Sequence, residues 1–454
     1  MKITNPATEE IICEIEEETT ERLAIKFHKL RAAQPDWGVM TLTNRIGIIR
    51  RYAALLEMNL ESLAGILTSE VGKPLQQSRN EINGSIARIQ WLSDNAEKYL
   101  SDEIMTSGPG LVEKISYEPL GTVCNISAWN YPYLVGTNVF IPALLAGNTV
   151  LYKPSEYATL TGLEIERLLK EAGVPEDAFH IGIGGKLVGE MLLDLPFNGY
   201  FFTGSYKTGK YIYERVSKKM VPCQCELGGK DPLYVADDIV DIKAVAAATA
   251  DGAFYNNGQS CCAVERIYVH EKIFDAYVEE FVKEVKSFKI GLPTENDVYI
   301  GPLTRKEQID LLTEQTDEAV KYGATLRTGG KPITGKGHYF EPTVLTEVTP
   351  QMGVMQDESF GPIIGIMKVK DDDEAIQQMS DTAYGLTAAV YSKDEKRAKK
   401  ILNKINVGTG YWNCCDRVSA ALPWSGRNHS GFGATLSHAG LRAFTNPKAY
   451  HLKS

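Results

Sequence analysis

The chain lacks any apolar run approaching the roughly 20 residues needed to span a bilayer, and its start, MKITNPATEEIICEIEEETT, holds no cleavable apolar segment. Both absences predict a cytoplasmic protein that does not enter a membrane. A basic excess is missing as well. With a net charge of -10 and a pI of about 5.4, there is no electrostatic footprint for DNA or RNA, so nucleic acid is excluded as an expected partner. Metal-site spacing is absent too. Zinc sites take cysteines two to four apart in two sets, or cysteines with matching histidines, whereas Cys261/Cys262 and Cys414/Cys415 are adjacent and Cys223 and Cys225 are one residue apart. No His-Glu-x-x-His stretch occurs, so no metal is expected. In a cytosolic chain the eight cysteines read as reduced thiols and not as a disulfide framework. There is no G-x-G-x-x-G fingerprint, internal repeat or long linker.

A hydrophobic content of 43% with 23% charged residues is that of a globular protein. At 454 residues the chain exceeds what one core supports and divides into two or three lobes. Residues 20–100 show helical periodicity in TERLAIKFHKLRAA, RIGIIRRYAALLEM and SIARIQWLSDNAEKYL. From Gly121 short β-rich runs, TVCNISA, NTVLYKPS, AFHIGIG and GYFFTG, alternate with helical segments, as in a doubly wound, mostly parallel sheet. A second α/β series follows CELGGKDP and runs to TGYWN. GLVEKISYEPLG and the tail PKAYHLKS read as strands detached from both series, a pair that is marginal alone and would pair with another subunit.

The chemistry concentrates at NNGQSCCAVERIYVH, residues 256–270. A buried free cysteine is usually a small core residue. This doublet differs in its setting, between the end of an apolar helix rich in Asn and Gly and the start of a strand, where a thiol can sit beside free backbone donors. A nucleophilic thiol needs an electropositive surrounding, and a hydrolytic cycle needs a base for water. No histidine stands in a suggestive motif. Glu226, in CQCELGGKDP, is the acidic candidate, although a Glu before a turn is more often solvated or salt-bridged. YFFTGSYKTGKYI adds a glycine turn entering a helix, suited to a phosphate.

Together these stretches resemble the aldehyde dehydrogenase superfamily of the NAD(P)-dependent, non-acylating, hydrolytic type. Its Gly-Gln-x-Cys motif is Gly258 to Cys261, and its Glu-Leu-Gly-Gly-Lys motif is Glu226 to Lys230, with Glu226 standing 35 residues before Cys261. Trp129 to Pro132, Lys153 to Glu156, Phe202 to Ser205 and Glu358 to Pro362 match four further motifs in order. NPATEEIICEI and HSGFGATLSHAGLRAFTN look like family landmarks, so the resemblance covers essentially the whole chain.

The resemblance implies an α/β fold of two doubly wound lobes, a Rossmann-like cofactor domain and a catalytic domain, plus a small β oligomerisation arm. The expected boundaries are 1–100 and 121–227 for the dinucleotide-binding domain, 228–430 for the catalytic domain, and 101–120 with 431–454 for the arm of a homodimer or homotetramer. It also implies oxidation of an aldehyde to a carboxylic acid. Cys261 would attack the carbonyl carbon, with Asn130 and the Cys261 N–H holding the oxyanion and Glu226 serving as general base for hydrolysis of the thioester. Asn130 alone could equally cap the helix that follows. Trp129, Lys153, Glu156, Gly204, Ser205, Glu358 and Phe360 would bind the cofactor. Lys153 tolerates NADP, but Glu156 favours NAD by accepting from a free 2′-hydroxyl.

Family members specific for succinic semialdehyde place arginines where this chain has Asn138 and Tyr255. With Tyr131, Val135 and Trp424 the pocket reads as aromatic and apolar, and an uncharged aliphatic or aromatic aldehyde is the expected substrate. Betaine aldehyde, drawn by cation–π attraction, and succinic semialdehyde, served by Arg417 at the tunnel mouth, are the alternatives. A CoA-acylating enzyme would lack Glu226, and a non-catalytic NAD-binding relative would be expected to have lost Cys261, Glu226 or Asn130. Glu156→Ser is expected to raise kcat/KM with NADP relative to NAD; an unchanged ratio would refute the role assigned to Glu156.

Overall fold

A computed structural model describes residues 1–454. Four helices, Thr20–Val39, Leu42–Met58, Leu60–Val71 and Leu75–Leu100, form the entry region. The hydroxyls of Thr19 and Thr41 accept the Arg22 and Asn44 N–H groups at the starts of the first two. Apolar residues of these helices, including Trp37, Ile49, Leu56, Leu67 and Ile89, pack on a six-stranded sheet through Val123, Val150 and Phe201.

That sheet runs in the order Gly431–Phe432, Cys223–Glu226, Gly199–Thr203, Thr122–Ile126, Thr149–Lys153, Phe179–Ile181, parallel except for its first strand. Strand order reverses between Thr122–Ile126 and Gly199–Thr203, so their carboxyl ends open a crevice of the kind in which doubly wound folds bind ligands. Ala128 to Asn130 lie after one strand, and Gly204 and Ser205 directly follow the other.

The second lobe is built on a seven-stranded sheet, ordered Thr325–Thr328, Thr343–Thr346, Ile363–Val369, Val264–His270, Asp231–Val235, Thr387–Tyr391, Thr409–Trp412, with only the first strand antiparallel. Alternate residues feed different cores. Val235, Ile267 and Ile364 pack on one face, while Tyr234, Tyr268 and Ile363 pack on the other. Burial on both faces explains why these strands are apolar throughout.

A three-stranded antiparallel sheet, Thr445–Lys453 against Leu111–Pro119 against Glu103–Gly108, projects from the lobes. Two features of this region differ from the sequence expectation. The arm has a third strand, Glu103–Gly108, folded back as a hairpin against Leu111–Pro119. Residues 431–444 are not in it. Gly431 and Phe432 pair with Glu226 and Cys225 at the edge of the six-stranded sheet, and the helix Ser437–Arg442 buries Leu441 in the core of the first lobe. The reason is physical: Leu436, Leu441 and Phe444 are fully buried apolar residues, which a solvated ribbon could not accommodate.

Candidate active site

The helix Ile242–Phe254 ends in a run of three left-handed residues, Asn256 (φ 53°), Asn257 (φ 58°) and Gly258 (φ 65°). Asn tolerates this region better than most residues, and at Gly258 a Cβ would stand 2.4 Å from the Gly361 carbonyl oxygen. Buried amides pin the turn. Asn257 Nδ2 donates to the carbonyls of Gly301 (2.7 Å) and Pro302 (3.0 Å), and Gln259 Oε1 accepts from Thr304 N–H at 3.0 Å. The chain is thereby delivered to Cys261 at a fixed point between the lobes.

Two cavities meet there. One of about 200 Å³ is lined by Trp129, Gly204, Ser205, Leu227, Glu358 and Phe360. The other, about 420 Å³, is lined by Tyr131, Val135, Asn138, Tyr255 and Trp424, the five predicted pocket residues. Asn130, Val135, Thr203 and Cys261 line both. Lys153 and Glu156 are outside the first cavity's lining, beside it at the end of the neighbouring strand, with Lys153 Nζ 4.0 Å from Glu156 Oε2.

The first cavity suits a nicotinamide dinucleotide. Glu358 Oε1 accepts from Gly229 N–H at 3.0 Å, while its other oxygen receives no hydrogen bond from the protein and is free to take one from a ribose hydroxyl. A Cβ at Gly228 would fall 2.1 Å from the Glu358 carboxyl, so only glycine leaves room for that carboxyl. Phe360 packs edge-on against Trp129 at 5.5 Å, which makes an aromatic wall.

Asn130 does not cap the following helix, whose N-cap is Tyr131 without a side-chain bond. Its Nδ2 donates to Gln259 O at 3.1 Å, beside Cys261, and its second amide hydrogen is left for a ligand oxygen. Glu226 ends its strand buried in the wall of the larger cavity. Burial pushes its pKa up to about 7, against the opposing pull of the Thr435 hydroxyl and Arg88. The two cysteines have become distinct. Cys262 packs with Leu386, Trp424 and Leu436, and its Sγ donates to Asp416 Oδ1 at 2.9 Å. Hydrogen bonding to Cys261, then burial, raises the Cys262 pKa far above that of a free thiol, so it stays protonated.

The larger cavity is not the apolar tunnel expected from sequence. Arg88, Asp251 and Asp416 line it together with the aromatic residues. Asp416 is half-buried in the wall, and desolvation raises its pKa to about 7. Arg88 reaches in from the helix Leu75–Leu100, donating to Asn138 Oδ1 at 2.9 Å. The same helix sets the site through a polar stripe that the periodicity analysis passed over. Gln77 Oε1 accepts from Asn256 N–H; Glu81 Oε1 accepts from Tyr133 N–H, and its other oxygen from Lys73 Nζ; Ser85 bonds Thr137. The spacing of Gln77, Glu81, Ser85 and Arg88 puts all four on one face, and that regularity was the available signal.

A model of the aldehyde dehydrogenase family matches residues 1–450. The chain belongs to the aldehyde dehydrogenase family. It is 32% identical to an aldehyde dehydrogenase of Agaricus bisporus, covering 99% of this chain and 91% of the relative, and 34% identical to aminoaldehyde dehydrogenase 1, peroxisomal, of Pisum sativum, covering 98% and 90%. Among solved structures, a point mutant of betaine aldehyde dehydrogenase of Staphylococcus aureus, in complex with NAD+, superposes with a TM-score of 0.95 at 31% identity, covering 100% of this chain and 94% of that one. As a member of this family of oxidoreductases, the protein is an aldehyde dehydrogenase with two Rossmann-like α/β lobes.

Lys73 is the most exacting part of this dehydrogenase site, since it and Glu81 are both fully buried. Lys73→Met leaves Glu81 uncompensated and is expected to cost about 3–5 kcal/mol, read as a lowered midpoint of urea denaturation. Lys73→Met/Glu81→Leu should recover part of that loss but not all, because Tyr133 N–H loses its acceptor.

Proposed function

We propose that this enzyme oxidises an aldehyde bearing an amino or quaternary ammonium group, using NAD in preference to NADP. The observation that carries the reading is the junction of the two cavities at Cys261, with aromatic rings and carboxylates together on the substrate side. Tyr131, Tyr255 and Trp424 offer π faces, and Asp416 and Asp251 offer negative charge. An ammonium is attracted by both, and its charge would also draw Asp416 into the ionised form. Relatives named for aminoaldehydes and betaine aldehyde fit this class better than they fit the uncharged aldehyde first expected.

In this reading Cys261 Sγ attacks the aldehyde carbon, and the Asn130 amide and Cys261 N–H hold the oxyanion. Trp129, Gly204, Ser205, Glu358 and Phe360 would hold NAD, with Lys153 and Glu156 at its adenosine ribose, and NAD would accept the hydride whose loss turns the Cys261 adduct into a thioester. Glu226 then takes a proton from the water that displaces the acyl group from Cys261, releasing the acid. Cys262 keeps its proton and serves as wall. The exposed apolar residues of the arm, Ile104, Met105 and Leu452, support association of the chain with further copies of itself.

A second reading, an aldehyde with a distal carboxylate, rests on Arg88, which supplies a guanidinium next to Asn138. A panel separates the two: betaine aldehyde, its neutral isostere 3,3-dimethylbutanal, 3-aminopropanal and succinic semialdehyde, followed by NADH absorbance. The cationic aldehydes should exceed the isostere by about tenfold in kcat/KM, the effect of a desolvated cation–π contact, and Asp416→Asn should narrow the gap. Preference for succinic semialdehyde, lost in Arg88→Met, would select the second reading, and preference for the isostere would refute both. Cys261→Ala should abolish turnover and Cys262→Ala should retain it. Because Glu226 must be ionised to act and burial has raised its pKa, steady-state turnover should climb with pH through about 7 and level off above it; a flat profile from pH 5 to 9 would remove Glu226 from the rate-limiting step.

A further inference from the structure

Glu226 is the base of the proposed reaction, and how its carboxyl is held remains to be explained. Its strand is flanked on one side by Gly199–Thr203, where Gly204 N–H donates to Glu226 O at 3.0 Å, and on the other by Gly431–Phe432. Leu227 N–H donates to Ser430 O at 3.1 Å. These bonds fix the backbone of Glu226 but not its carboxyl. The carboxyl has one protein hydrogen bond, from the hydroxyl of Thr435 to Glu226 Oε1.

Thr435 is itself fully buried and doubly anchored. Trp424 N–H donates to Thr435 O at 2.8 Å and Thr435 N–H donates to Trp424 O at 2.9 Å, an isolated antiparallel bridge. The next residue, Leu436, has φ 59°, a costly conformation for a branched side chain. It is held there by complete burial against Trp424 and Cys262. From the other side Gly440 packs so closely that a Cβ on it would stand 2.5 Å from Thr435 C. The backbone of Thr435 is therefore over-determined, and its hydroxyl has a fixed place.

We infer that Thr435 is a positioning residue for hydrolysis of the acyl-enzyme: its hydroxyl holds the Glu226 carboxyl at the substrate cavity, and its backbone ties that carboxyl to Trp424 in the cavity wall. The inference rests on the reading of Glu226 as general base. The hydroxyl donates to the ionised carboxylate, so it favours the form that accepts a proton from water. The other titratable and charged groups of the cavity that Glu226 lines are Arg88 from the helix Leu75–Leu100, Tyr131, Asp251 and Tyr255, Cys261 and Cys262, and Asp416 with Arg417 from the turn before Trp424. None of them donates a hydrogen bond to Glu226.

The test compares Thr435→Val, which keeps the shape and removes the donor, with Thr435→Ser, which keeps the donor. Purified full-length enzyme with NAD and its best aldehyde is followed by stopped-flow NADH absorbance and by steady-state rates from pH 5.5 to 9. Thr435→Val should lower kcat by about tenfold, the usual effect of losing a hydrogen bond to a charged group. It should also show an NADH burst of about one per active site, since acylation outruns hydrolysis, and shift the acid limb of kcat to higher pH. With acylation intact, KM falls in step with kcat, and kcat/KM stays within about twofold of wild type. Thr435→Ser should behave as wild type. Unchanged kcat and pH limb in Thr435→Val, a parallel fall in kcat/KM, or equal impairment in Thr435→Ser would overturn the inference. Should Thr435→Val fail to fold, Thr435→Ala, which introduces no clash, carries the same comparison. Glu226→Gln separates the two levels: if it still hydrolyses its acyl-enzyme, the base assignment fails; if it stalls while Thr435→Val does not, only the inference fails.

Discussion

The site depends on a buried ion pair that takes no part in the chemistry. Lys73 and Glu81 are withdrawn from water, and desolvation moves each pKa toward the neutral form, with their mutual attraction opposing the shift. Such a pair is stabilising only when its remaining donors and acceptors are used. Here they are. Lys73 Nζ also donates to Asn130 O at 2.8 Å and lies 3.7 Å from the centre of the Tyr131 ring. The free oxygen of Glu81 accepts from Tyr133 N–H, one of the unpaired donors at the start of the helix Pro132–Leu145. One pair thus orients Asn130, supports Tyr131 and starts the helix that carries Val135 and Asn138. Both cavities inherit their common wall from it.

Asymmetry between the adjacent cysteines follows from the same rigidity. After three left-handed residues, successive side chains leave the backbone in different directions, so Cys261 opens onto both cavities while Cys262 turns into apolar packing. Asp416 and the neighbouring sulfur keep the Cys262 proton in place.

Much of the fold and part of the site were legible in the sequence. Alternating strand and helix periodicities gave the two lobes, because buried parallel strands are apolar on both faces and their helices are amphipathic. Cys261, Glu226 and Asn130 were singled out by the resemblance to the aldehyde dehydrogenase superfamily, through the motifs Gly258 to Cys261, Glu226 to Lys230 and Trp129 to Pro132. Arg88 and Glu81 were not, although they share one polar helix face with Gln77 and Ser85, and Thr435 and Asp416 were not because each acts through a partner far along the chain. Thr435 meets Glu226 across 209 positions, and nothing local records that meeting. The arm was overextended to residue 431 for a related reason. A strand of two residues, Gly431–Phe432, has no periodicity to detect, and only its partner strand identifies its sheet.

Arg88 and Asp416 place opposite charges in one cavity, and their positions decide how this can serve a cationic substrate. Arg88 lines this cavity, where desolvation works against its charge and the Glu226 carboxylate supports it. Reciprocally, it favours the ionised Glu226 carboxylate. Its guanidinium donates to Asn138 Oδ1 and to the Leu134 carbonyl. The Asp416 carboxyl has only the Cys262 thiol as hydrogen-bond partner; burial opposes its charge, and the neighbouring Arg417 favours it. A positive group entering among Tyr131, Tyr255 and Trp424 would find that carboxylate available, whereas a negative one would compete with Glu226 for Arg88.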